Sequence, residues 1–193
     1  TGDATAQGVI TLTVADTEVS VAAAAEDSAA SLATALAAAV NAERDLPVTA
    51  QAATGTVTLA AKNKGTLGNG IVLAYSNTVP GITPTLTAMT GGQKDPDIAE
   101  ALTAVFAADY TIYCVPWAVQ APLAALREHL DNVGGPMEQR GAIGVYASTG
   151  TLSAATTLAG QLNSGRITGA LLPGSTTPPE QIAAAYAAVL ASE

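Results

Sequence analysis

Residue types that usually mark a chemical site are scarce in this chain. It has 1 histidine, 1 cysteine and only 7 lysines and arginines among 193 residues, and aromatics make up 4%. The lone Cys114 excludes an intramolecular disulfide, and a cysteine-based zinc site needs more thiolates. Its place in the apolar run TIYCVP predicts a buried, inert thiol. So few cations disfavour nucleic-acid binding, which rests on contacts to phosphate, and rule out a polybasic membrane patch. With 16 Asp and Glu the formal net charge is −9, a balance that serves solubility. Long apolar runs are missing too. Glu26, Asp27, Glu43, Arg44 and Asp45 break the alanine-rich stretches before any could span a bilayer.

Hydrophobic residues nevertheless make up 49% of the chain, much of it alanine. The core is therefore built from small side chains and close backbones. Each buried alanine removes little apolar area, so stability per residue is expected to be modest. A larger assembly would supply the remainder by mass action. The chain opens on TGDATAQG, without Met and without a signal-peptide pattern, which suits an excised fragment.

Residues 1–92 read as β-rich with one helix. GVITLTV alternates apolar residues with Thr11 and Thr13, the pattern of a half-buried strand. Asp16-Thr17 is read as the turn, and EVSVAA as the returning strand. Asp27 or Ser28 is placed to cap the next helix, whose apolar stripe is Leu32, Leu36 and Val40 with Ala33 and Ala39. Leu46-Pro47 stops it. Strands are expected at Val48 to Ala52 and Thr56 to Ala60 around a Thr54-Gly55 turn, then at Ile71 to Tyr75 and Thr85 to Met89.

Gly91 and Gly92 read as a joint, after which residues 93–193 alternate helix and strand. Asp95 is expected to cap a helix that starts at Pro96 and runs to Ala107. Then follow strand TIYCVP, a helix from Gln120 to Leu130, strand GAIGVYA, a helix from Leu152 to Leu162 and strand RITGALLP. In TTPPEQ, Thr177 is the expected N-cap of the last helix, Pro178 its first position and Glu180 the capping-box partner. Strands apolar on both faces predict a parallel sheet between helices. The fold class is thus α+β / α/β: a small β-rich domain, then an α/β domain. Three strands are few for such a sheet, and a further strand from elsewhere would complete it.

His129 lies near a helix end with Asp131 two residues on, and such residues do not face each other. It is expected to be a surface helix-end histidine, favoured there by the carbonyl ends. Ser148, at a strand end, is the best candidate nucleophile, but no GxSxG elbow surrounds it. Glu26-Asp27, Glu43 and Asp45 bracket a helix, whereas a catalytic pair needs two groups facing one cleft, and helix capping explains Glu26-Asp27. No Asp-containing stretch has the ligand series of a calcium loop. GTLGNG (Gly65 to Gly70) lacks the Lys-Ser/Thr ending of a P-loop and is followed by a strand, so it reads as a turn. STGTLSA (Ser148 to Ala154) lies between strand and helix, where α/β proteins bind ligands, yet its hydroxyls serve equally as a cap for the helix at Leu152. Trp117 is either a core lid or a contact anchor. No catalytic residue, metal ligand or cofactor site is assigned.

Lys62 to Gly92, with GVITLTVADTEVSV before it, resembles the contractile tail sheath protein of Mu-like phages. In that family a strand pair, a small helix and an AKNKGTLGN-type turn recur in this order. DIAEALTAVFAADYTIYCVPW matches the family's helix, short strand, proline turn and aromatic. The later Gly-Pro-Met, Gly-Thr-Leu, Asn-Ser and Pro-Pro-Glu also follow family order, so the resemblance covers nearly the whole chain. It implies a structural subunit of the virion, assembled in the host cytoplasm. Such subunits stack as hexameric rings around the tail tube and contract without nucleotide. Their partners are neighbouring sheath subunits, joined through terminal arms that add strands to adjacent sheets, and the tube protein. This chain lacks the arms, so by itself it is expected to be monomeric or weakly associated. The alternatives are an α/β small-molecule-binding or hydrolytic domain using the Ser148–Ser153 loop, and an adhesin-like module built on the threonine-rich β segment.

Overall fold

A computed structural model describes residues 2–192. The fold mixes small antiparallel sheets with a parallel sheet flanked by helices, the α+β / α/β class expected from the sequence. The chain divides into two compact units, one ending at Asp95 and the other starting at Pro96.

In the first unit, β1 (Gly8–Val14) and β2 (Thr17–Ala23) form an antiparallel hairpin. Val14 pairs with Thr17, so Ala15 and Asp16 are the turn residues, and Ala15 takes a left-handed φ of 52°. The turn thus lies one residue before the expected Asp16-Thr17. α1 (Ala29–Ala42) follows, capped by Ser28, whose Oγ accepts from the Ser31 amide at 3.1 Å. Asp27 accepts instead from the Ala24 amide at 2.8 Å and shapes the preceding turn. β3 (Val48–Ala53) and β4 (Thr56–Ala61) pair around Thr54 and Gly55, both at positive φ (45° and 78°), as a two-residue hairpin turn with matching twist requires. Asn41 ties α1 to β3, accepting from the Ala50 amide at 2.9 Å and donating to its carbonyl at 2.8 Å. β5 (Leu73–Asn77) joins β1, giving the order β2-β1-β5. It begins two residues later than the Ile71 of the sequence reading. Leu12, Val14, Val19, Val40, Leu46 and Val48 form the main core.

Thr85–Met89 is not a strand. Its Thr-Leu-Thr-Ala-Met alternation has strand grammar, but among the described residues no ladder partner lies beside it, and Pro80 and Pro84 remove amide donors just upstream. Side chains hold the start of this segment instead. Asn77 accepts from the Val79 amide and donates to the Ile82 carbonyl, and the Tyr75 hydroxyl donates to the Pro84 carbonyl.

In the second unit, β6 (Ile112–Cys114), β7 (Ile143–Ser148) and β8 (Ile167–Leu171) form a parallel sheet in that order. α2 (Ala99–Ala104) and α3 (Gln120–Val133) precede β6 and β7, α4 (Leu152–Leu162) precedes β8, and α5 (Pro179–Ser192) ends the chain. Parallel strands need crossover helices, here α3 and α4, and α3 and α5 pack on the sheet. Leu123, Leu126 and Leu130 of α3 are fully buried with Tyr113 and Tyr146, while Ile182 and Ala183 of α5 pack on Ala147. Thr151 caps α4 by accepting from the Ala154 amide, and Asn163 ends it in the left-handed region.

Two helix starts differ from the sequence reading. α2 begins at Ala99 behind Ile98, because the Asp95 carboxylate is engaged by Thr66, which donates both its amide (2.7 Å) and its hydroxyl. α5 begins at Pro179, and the Pro178 carbonyl accepts from the Gln181 and Ile182 amides. Pro179 therefore holds the first helical position, and Thr177 stands one residue too early to be the cap.

The sheet admits α3 closely because Gly144 has no side chain. A Cβ there would meet Leu126 Cδ2 at 2.6 Å and both Leu130 and Ile167 at 3.2 Å, and both leucines are fully buried. Gly144→Ala is expected to cost about 1–3 kcal/mol in denaturant unfolding, as overpacking does. Gly160→Ala, on α4 with nothing within 4 Å of the new Cβ, is expected to gain about 0.5–1 kcal/mol.

Candidate functional site: strand edges and the loop after the central strand

Ser148 ends β7, and its hydroxyl accepts from the Gly150 amide at 3.2 Å. Its carbonyl accepts from Leu172, and that of Thr149 from Gly174. With Thr151 as the cap of α4, the Ser148–Ser153 loop spends much of its polar capacity on its own geometry. His129 is not brought to Ser148. It packs against Tyr113, which pairs with Gly144, whereas Ser148 lies four residues further along β7, ~13 Å at ~3.3 Å per residue. Asp131 faces Arg127 at 3.7 Å and Arg166 at 4.0 Å. The structure assembles no nucleophile, base and orienting acid from these residues.

His129 is not a surface histidine. It is 6% exposed, with its ring edge-on to Phe106 (5.9 Å between centroids) and Tyr113 (4.9 Å). Burial and then the Arg140 charge push its pKa below the ordinary value. The helix runs on to Val133, so His129 belongs to the inward stripe of Leu123, Leu126, Leu130 and Val133. That three-and-four spacing was the signal available in the sequence, and the nearby helix end concealed it.

Cys114 is exposed, contrary to its apolar surroundings in sequence. β6 alternates, and Tyr113 takes the inward position. Partial desolvation still raises the thiol's pKa, so little thiolate exists at neutral pH. Trp117 is partly buried against the Tyr113–Leu126 cluster, the lid position.

The GTLGNG turn already holds an anion from its own chain. Asp95 lies against Gly65 and Thr66, and Asn69 exchanges two hydrogen bonds with the Gly92 backbone (2.9 and 2.8 Å). Elsewhere in the β-rich unit a groove of about 280 Å³ is lined by Leu12, Leu36, Val57, Leu59 and Tyr75 among others. Among the described residues, no group of three or more His, Cys, Asp or Glu could hold a metal ion, and no helix is long and apolar enough to cross a membrane.

The sheets instead present strand edges. β2 and β5 bound one sheet, and β6 and β8 bound the parallel sheet, each with one ladder partner. Exposed Tyr75 and Leu172 lie on or beside two of these edges. Unpaired edge backbone is chemically a template for another strand.

Native labelling with a thiol reagent is expected to modify Cys114 without denaturant, at a rate that rises as pH increases above neutrality. A thiol that reacts only after unfolding would contradict the edge-strand placement.

No protein-family model matches the chain. Among curated proteins it is similar to the Mu-like prophage FluMu tail sheath protein of Haemophilus influenzae, with 33% identity over 196 residues. The match covers 99% of this chain and 40% of that protein. Over practically its whole length, then, the chain is similar to part of a Mu-like prophage tail sheath protein.

Proposed function

We propose that this chain forms part of a structural subunit of a contractile phage tail sheath, a component of the virion that does mechanical work by assembling with its own kind. The similarity along 99% of the chain carries this reading. Open strand edges and small-residue packing support it, for they suit strand exchange and close docking between subunits. The partners are neighbouring sheath subunits and the tail tube, and contraction is a collective rearrangement of the lattice. The role is not enzymatic. The hydrolytic alternative rests on Ser148, whose hydroxyl is turned to the Gly150 amide and which has no histidine in reach.

Three measurements test this. The longer protein containing this chain is expected to form sheath-like tubes under the electron microscope. The chain alone is expected to sediment as a monomer or a weakly concentration-dependent oligomer, and a tight closed hexamer would contradict the dependence on added strands. In an esterase and peptidase assay, wild type and Ser148→Ala are expected to be equally inactive. Turnover lost in the variant would replace the assembly reading with the hydrolytic one.

A further inference from the structure

We propose that the cage around His129 is an acid-operated latch: protonation of this imidazole releases the segment 105–110 that Arg140 fastens over it. The inference is independent of the sheath reading. Three parts of the second unit meet at the cage. Phe106 comes from the segment after α2, Tyr113 from β6 and His129 from α3. Arg140 closes it. Its guanidinium lies 5.4 Å from the Phe106 ring centroid and donates to the Phe106 and Ala108 carbonyls, each at 2.7 Å. The segment is thus held by one cation that already occupies a face of the aromatic ring His129 touches.

A second cation has no such welcome. His129 Nε2 is buried and has no hydrogen-bond partner among the described residues. The ionisable groups around the cage are Tyr113, with Tyr110 and Asp109 acting on it, and Arg140, which pairs with Glu138 at 2.9 Å. Asp109 and Glu138 are exposed, as are Arg127, Glu128 and Asp131 on α3 itself. The charge that bears on His129 is that of Arg140, and it repels. An imidazolium here would be desolvated without a counterion, and it leaves the cage most readily by displacing the segment that covers it.

The sign follows from linkage. An unfolded histidine titrates near 6.5, and the folded one lies lower, so the unfolded or opened state binds the proton more tightly. The closed state is undisturbed above about 6.5. It loses up to about tenfold in its equilibrium constant per pH unit as pH falls from there toward the depressed folded value.

The chain carries its own probes, for it has 1 histidine and 1 tryptophan, and Trp117 packs on the same cluster. The experiment follows Trp117 emission, the His129 imidazole resonances and amide protection factors of residues 106–110 in the whole chain, from pH about 7.5 to about 5. In the unaltered chain, emission and protection are expected to change reversibly, with a midpoint below 6.5 shared by the imidazole titration. His129→Phe fills the cage with an uncharged ring and is expected to abolish the change. The proposal is overturned if His129→Phe keeps the same transition, or if His129 in the unaltered chain titrates at or above 6.5. It is equally overturned if His129 titrates while Trp117 and the 106–110 amides stay unchanged. These last two outcomes are read without the variant, so a variant that fails to fold leaves the test intact.

Discussion

Gly144 under Leu126 and Leu130, and Ala147 under Ile182 and Ala183, bring α3 and α5 close against the central strand β7. The second unit depends on this contact. With so few large side chains, a thicker spacing between layers would leave gaps that nothing in the sequence could fill. Close approach turns alanine-rich helices into adequate covers, because dispersion between many small groups at contact distance replaces the burial of a few large ones. The β-rich unit meets the same constraint with a direct tie, Asn41 bridging α1 to both backbone groups of Ala50.

Local grammar carried much of the fold. The Thr54-Gly55 turn, the strands beside it, and α4 from Leu152 to Leu162 follow from turn chemistry, alternation and capping, and they stand where those rules put them. The failures have two causes. Asp95 has the right neighbour to cap a helix, but Thr66, 29 residues earlier, offers it two donors. Thr85–Met89 alternates like a strand, yet a strand exists only where a partner's edge is free beside it. Cys114 and His129 exchanged their expected environments because strand order and helix length decide which face is covered. The first two are long-range competitions that no window of sequence contains, whereas the spacing of His129 and the alternation of Cys114 with Tyr113 are local signals.

The candidate site was less legible than the fold. Polar groups that could have formed a site are mostly consumed by backbone: Asp27 by Ala24, Ser148 by Gly150, Thr151 by Ala154, Asp95 by Thr66. Such bonds set loop geometry and leave less capacity to recognise a ligand. What the chain keeps open is main chain. Edge strands are sequence-tolerant surfaces, since their donors and acceptors are the same whatever the side chains, and so motif reading cannot find them.

A three-stranded parallel sheet makes this openness costly. Parallel sheets are usually wide and covered, so that unpaired edges are a small share of the backbone; here two of the three strands are edges. A solitary domain would blunt such edges with charge, and the chain has few charges to do so. If neighbouring subunits supply the missing ladders, the same edges become the source of cohesion, and their identical backbone chemistry allows partners to exchange during a lattice rearrangement without new side-chain contacts. On that view the modest stability of an alanine-built unit is tolerable because each copy is held by its neighbours.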